Sequence, residues 1–250
     1  RDLHLSIRRQ RQMCIRDRAH SGQATKAEPV LSALMQKGGD PEIAAAWIDV
    51  VTMLKGPEEG WAVAQEQLKR FMGEAAVRRA VGTLAAQRGD FAAARDHLEQ
   101  ALKLNPKLAS AHANLGDLRL RAGDSVAAME FYQRAIEQEP KSPMSVRIRV
   151  RLAQMLAETK PDQALNLLKE ALQVEPNAPD ALAELGKVMA SMGLFDQAID
   201  YLKEAYELKL ERGDVMSTLG FAFLQRASRS PDAAARRQDL LAARMWLNRL

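Results

Sequence analysis

Cysteine is nearly missing from these 250 residues: there is one thiol, Cys14. One thiol closes no disulfide, and it excludes a zinc site built on cysteine pairs. Long apolar runs are missing too. No stretch of 18 apolar residues occurs, so nothing in this sequence reads as a membrane span. Aromatics make up 5% of the chain, and its three tryptophans, Trp47, Trp61 and Trp246, are expected to pack between helices rather than stack on bases. What is plentiful is aliphatic and charged: 47% of residues are hydrophobic and 27% charged, the proportions of a folded chain.

The formal charge of +4 is confined to one place. Residues 1–18, RDLHLSIRRQRQMCIRDR, carry six arginines and two aspartates, so the remaining residues balance at 30 basic and 30 acidic. An arginine-rich targeting peptide is disfavoured by the aspartates and by the lack of an apolar core or small-residue cleavage site. Three readings stay open: a basic arm for nucleic acid or anionic lipid, a disordered tail, and an artefact. IRRQRQMCIRDR resembles the translated read-through of a sequencing adapter, so fold reasoning begins after it. The neutral remainder has no electrostatic basis for binding nucleic acid.

Beyond residue 74 the chain repeats itself. Pro106, Pro140 and Pro176 mark a period of about 34 residues, the last step being slightly longer than the first. Stacked on that period, Val81-Gly82, Leu115-Gly116, Leu152-Ala153, Leu185-Gly186 and Leu219-Gly220 fall in one column. A second column holds Ala94/Leu98/Ala101, Ala128/Tyr132/Ala135, Ala164/Leu168/Ala171 and Ala198/Leu202/Ala205. The i, i+4, i+7 spacing puts each triplet on one helical face. A glycine or alanine at both columns lets two helices approach where a larger side chain would overpack.

Between the two helices, Gly89-Asp90 and Gly123-Asp124 supply a left-handed turn residue and an N-cap. In the third repeat Thr159-Lys160-Pro161 stands there instead, with Thr159 the expected cap. The boundary prolines end each second helix. The fourth repeat has Leu210 where proline is expected, which predicts a helix running on.

These columns resemble the tetratricopeptide repeat, whose frame is W-x2-L-G-x2-Y…A-x3-F…P. The resemblance implies an all-α, right-handed superhelical solenoid of stacked antiparallel helix pairs, continuous from about residue 20. Residues 24–74 are expected to hold degenerate repeats, 75–212 four well-formed ones, and 213–250 a partial fifth. Ala64/Leu68/Phe71 and Ala27/Leu31/Leu34 carry the frame into the degenerate part, the first preceded by an apolar run from Ile43 to Leu54 and a Gly56-Pro57 turn. Both ends fall inside repeats, which reads as a fragment of a longer array.

No catalytic constellation is present. His4, His20, His97 and His112 never adopt a metal-ligand spacing, and no phosphate-binding glycine loop or nucleophile elbow occurs. His97 and His112 are expected on helix surfaces, and Glu58-Glu59 in a solvated turn. No cofactor and no enzymatic activity are expected. The function to expect is a non-catalytic scaffold that binds a peptide or partner protein in the groove lined by first helices.

The groove positions of the family fall on Arg79 and Thr83, on Asn114 and Asp117, and on Arg147, Arg151 and Gln154. Once Pro143–Ser145 are set aside as extra residues, the pattern resembles a family clamp for a C-terminal carboxylate. That clamp uses a Lys–Asn pair on one helix, an Asn on the next and a Lys–Arg pair on the third. Further along, Asp180, Glu184 and Asp214 are expected to make the groove acidic. Two alternatives remain: the repeat region of a larger enzyme, such as a glycosyltransferase or hydroxylase, and that of a polysaccharide-export or envelope-assembly protein. The compartment stays open between cytoplasm and periplasm.

Overall fold

The architecture follows from short helices punctuated by proline, glycine and aspartate. The computed structural model describes residues 24–208 and 212–249, which form 13 helices and no strand. They are α1 (Ala24–Gln36), α2 (Pro41–Lys55), α3 (Pro57–Arg70), α4 (Ala75–Gln87), α5 (Phe91–Leu104), α6 (Ala109–Arg121), α7 (Ser125–Gln138), α8 (Pro143–Leu156), α9 (Pro161–Val174), α10 (Pro179–Ser191), α11 (Phe195–Glu207), α12 (Gly213–Arg229) and α13 (Ala233–Leu247). The arginine-rich stretch 1–18, with Cys14 and His4, lies outside the described residues, as do His20 and Leu210. No described helix is long and apolar enough to cross a membrane.

The chain divides into two compact units after Gln138, where the repeat pattern leads one to expect a single continuous domain. In the first unit α1 packs on α2, and the pairs α2–α3, α4–α5 and α6–α7 follow. In the second unit the pairs are α8–α9, α10–α11 and α12–α13. Within each unit the first helix of one pair also touches the first helix of the next, α2 to α4 to α6 and α8 to α10 to α12. The result is an all-α fold of tetratricopeptide type.

Local chemistry explains each turn. Gly89, Gly123 and Gly193 adopt φ of 83°, 80° and 78°, which reverses the chain after α4, α6 and α10 where a Cβ would be strained. Asp90 and Asp124 then accept from the amides of Ala93 and Ala127, at 3.0 and 3.1 Å, and start the second helices. Pro41, Pro57, Pro143, Pro161 and Pro179 occupy first-turn positions that have no amide bond to lose. The third pair departs from expectation: Lys160, not Thr159, is the N-cap residue of α9, and it offers no capping side chain. Helix α11 stops at Glu207 rather than running on.

The core is built from the predicted columns. Ala94, Ala128, Ala164 and Ala198 are fully buried, as are Leu98, Tyr132, Leu168 and Leu202, each one turn further on. Gly82, Gly116 and Gly186 face those larger residues: a Cβ added at Gly116 would lie 2.6 Å from the Tyr132 ring. In the last pair the apolar column is broken by Asp239, buried and held by Arg226 through two bonds of 2.6 and 2.9 Å. Trp246 is buried against Tyr206, ring centres 4.9 Å apart, while Trp47 and Trp61 pack on the core of the first unit.

The third pair corrects the register. Helix α8 begins at Pro143, one full period after α6 begins at Ala109, so Pro143–Ser145 are its first turn and not a spacer. The surplus lies at the step between α8 and α9. From Pro143 to Pro161 the chain is longer by two positions than from Ala75 to Phe91, Ala109 to Ser125 or Pro179 to Phe195. Burial agrees. Ser145, Ile148, Arg149, Val150, Leu152 and Ala153 are buried, matching Val77, Ala80, Val81, Gly82, Leu84 and Ala85 one by one. The column of small residues therefore contains Val150 at this level, with Leu152-Ala153 one turn further on.

Candidate functional site

Helix α4 presents Arg79 and Thr83 at i and i+4, on its partly exposed side. Arg79 reaches Asp49 on α2 through Nη1 at 3.2 Å and Nη2 at 2.9 Å. Burial opposes the guanidinium charge, but Asp49 and, more distantly, Glu42 outweigh it and raise the pKa. Thr83 donates to the Arg79 carbonyl at 2.9 Å and accepts from Asn114 Nδ2 at 2.6 Å. On α6, Asp117 accepts from the Tyr132 hydroxyl at 2.5 Å. The four residues assigned to the first unit thus stand on adjacent first helices, and Arg79, Thr83 and Asn114 are tied into a polar ladder that starts at Asp49.

In the second unit Arg147, Arg151 and Gln154 are exposed along one face of α8 at i, i+4 and i+7. Arg147 makes no ion pair among the described residues. By the corrected register Arg147 corresponds to Ala113 and Arg151 to Asp117, each one period earlier in the chain. The pair is therefore displaced by a turn from the helix positions that the carboxylate clamp requires.

Sequence reading missed the neighbour of this row. Arg149 points inward, where Nε meets Glu170 at 3.1 Å and Nη1 meets the Pro140 carbonyl at 3.0 Å and Ser145 Oγ at 2.8 Å. An arginine alternating with exposed ones on a helix is the signal available, since residues two apart face roughly opposite ways, about 200° around the axis. His112 likewise is not a surface residue: it is buried, with Nε2 2.9 Å from the Pro106 carbonyl. That carbonyl lies in the turn after the preceding second helix, so the ring plays the part that Ser145 and Arg149 play at Pro140. Glu58 and Glu59 lie in the first turn of α3, and Glu58 meets Arg88 at 3.2 Å.

The acidic end of the row is neutralised. Asp180, Glu184 and Asp214 surround Lys187 and Arg212: Arg212 holds Asp180 at 2.9 Å and Asp214 at 2.6 Å, and Lys187 holds Glu184 at 2.8 Å and also Asp214. Burial would raise the Asp214 pKa, but hydrogen bonds from Arg212 and Lys187 dominate and hold it at about 2. No group of three or more His, Cys, Asp or Glu among the described residues could hold a metal.

Comparison with known proteins places this geometry in a family. Family profiles described as tetratricopeptide repeat match residues 79–143 and 155–215, together about half of the chain. Comparison with curated protein sequences finds no match. Among solved structures, MamA is 20% identical with a TM-score of 0.58, over 70% of this chain and 91% of MamA. PilF of Pseudomonas aeruginosa is 14% identical with a TM-score of 0.65, over 79% of this chain and 95% of PilF. YrrB is 18% identical with a TM-score of 0.52, over 74% of this chain and 94% of YrrB. At these identities the likeness is one of fold. With the period, the paired helices and the small-residue columns all agreeing, the chain belongs to the tetratricopeptide repeat family.

Proposed function

We propose that this chain is a non-catalytic interaction scaffold that holds a peptide segment of a partner protein against its first helices. Within the second unit the grip on an acidic segment comes from α8. The observation carrying this reading is the row Arg147, Arg151 and Gln154, exposed on one face, with Arg147 lacking a counter-ion among the described residues. The Arg147 guanidinium offers a forked donor that matches carboxylate geometry, with Arg151 one turn further along the same exposed face. In the first unit Arg79 is already neutralised by Asp49, so Arg79, Thr83, Asn114 and Asp117 serve as a polar lining that orients a peptide backbone. One structural neighbour, YrrB, is described as a tetratricopeptide protein with an unusual peptide-binding site, which accords with this reading.

The test is a fluorescence-anisotropy titration of a labelled peptide ending in two acidic residues. The Arg147→Ala/Arg151→Ala variant is expected to bind at least about tenfold more weakly than the parent, since charged hydrogen bonds contribute about 1.5–3 kcal/mol each. Equal affinities for the two proteins would sink the proposal.

A further inference from the structure

A recess lies in the first unit, away from the Arg79–Thr83–Asn114 ladder. It measures about 400 Å³ and is walled by Met72 and Gly73 before α4, Arg78 on α4, and Gln100, Lys103 and Leu104 at the end of α5. Two of its walls are apolar side chains left in solvent, Met72 at 63% and Leu104 at 50% exposure. Two others are cations, and no carboxylate lines it.

Arg78 is set without being neutralised. Arg78 donates from Nε to the Met72 carbonyl at 3.1 Å, and its Nη1 lies 3.4 Å from His97 Nδ1. Burial, and then Arg78 itself, push the His97 pKa below its ordinary value, so the ring meets the guanidinium as a neutral acceptor. Arg78 is thus held in place by two uncharged groups. Neither it nor Lys103 has a carboxylate partner among the described residues. A positioned guanidinium and an exposed ammonium beside an open apolar wall complement one chemistry: an apolar side chain with a carboxylate next to it.

We infer that this recess is a docking site for a short acidic–apolar peptide motif of a partner protein, the apolar side chain lying between Met72 and Leu104 and the carboxylate meeting Arg78 and Lys103. It deepens the scaffold reading but uses none of the residues of α8. One protein would then engage two segments, and two weak contacts on one chain reinforce each other through effective concentration.

Methionine methyl labelling tests the site directly, because Met72 is a wall of it. The probe is the N-acetylated peptide Gly-Ser-Glu-Phe with a free terminal carboxylate, and the control is Gly-Ser-Gln-Phe with an amidated end. Met72 is assigned by Met72→Leu. The charged peptide is expected to shift the Met72 methyl resonance saturably. Lys103→Glu, a change at an exposed position, is expected to weaken that binding about tenfold, since it removes one attraction and adds one repulsion. Arg147→Ala/Arg151→Ala is expected to leave it unchanged, which separates this site from the α8 row. An unmoved Met72 signal would overturn the inference. So would an equal shift from the uncharged control, or an affinity unaffected by Lys103→Glu. Saturable binding of decanoate with no response to the peptide would also overturn it, assigning the recess to free amphiphilic acids.

Discussion

Arg79 on α4 reaches back to Asp49 on α2 and meets both oxygens of its carboxylate, at 2.9 and 3.2 Å. Their side chains are only 15% and 22% exposed, so the bond ties one helix pair to the next at a partly desolvated site. Breaking it strands a charge. Asp49→Leu is expected to destabilise the first unit by about 2 kcal/mol, and Arg79→Leu/Asp49→Leu by markedly less, because the double variant leaves no unpaired ion. Urea unfolding of the two single variants and the double, as a double-mutant cycle, measures the coupling. Additive losses would remove the pair from the account of stacking.

Arg147 and Arg149 make a sharper comparison, being near neighbours on α8 and opposite in environment. Arg149→Ala removes bonds to Glu170, Ser145 and the Pro140 carbonyl and opens space beside α9, with an expected loss of about 2–3 kcal/mol. Arg147→Ala, on the exposed face, is expected within about 0.5 kcal/mol of the parent. Thermal unfolding followed by circular dichroism reads both. A reversed order would mean that the assignment of faces on α8 is wrong.

At Gly116, α6 packs too tightly on α7 to admit a Cβ. A methyl there would lie 2.6 Å from the Tyr132 ring, which is buried and tethered through its hydroxyl to Asp117 and so cannot yield easily. Alanine is the better helix former by about 1 kcal/mol, but overpacking costs about 1–3 kcal/mol. Gly116→Ala is therefore expected to lower the melting temperature. Gly116→Ala should cost less in a Tyr132→Ala background than in the parent, because truncating the ring removes the atoms that the added methyl would meet. A stabilised Gly116→Ala protein would show that the helices can separate at no cost.

Acid should weaken the charge cluster of the second unit. The Asp214 carboxyl titrates at about 2 when folded, below the ordinary 3.8, so it favours the folded state above about pH 4. That contribution fades as pH falls from about 4 toward 2, because the folded form resists the proton that the unfolded chain takes up. The parent protein should lose stability across this window more steeply than Asp214→Asn, which has no proton to bind. Parallel denaturation curves of both proteins at pH 5, 4 and 3 decide it, and equal slopes would exclude Asp214 as a contributor.

Much of the fold was legible because its determinants are local. Ala94 to Ala101 and the three triplets that echo it lie on one face by spacing alone, and Gly89 or Gly123 ends a helix whatever it packs on. Where the local signal was ambiguous, reading failed. Leu152-Ala153 mimics the Leu-Gly step so well that it drew the third repeat out of register by one turn. Burial, set by α9 and α10, puts Val150 there instead.

The candidate site was legible only in its residue types. The row Arg147, Arg151 and Gln154 follows from helical spacing, and its exposure agrees. Other charges changed meaning once their partners were known: Arg79 is neutralised by Asp49, the Asp180–Glu184–Asp214 group is matched by Lys187 and Arg212, and His112 is buried under Pro106. The recess at Met72 and Lys103 had no signal in the chain at all, since its walls come from a loop and two helices.

By itself, then, the sequence determined the helix pairs, their period and the small-residue columns that let them close, since each depends on residues within a turn or two. Only the tertiary structure decided which cations are spent on carboxylates and where the third pair stands. Those outcomes depend on groups that approach within about 3–4 Å across separate helices, and a periodic sequence specifies the face a side chain takes but not what it meets.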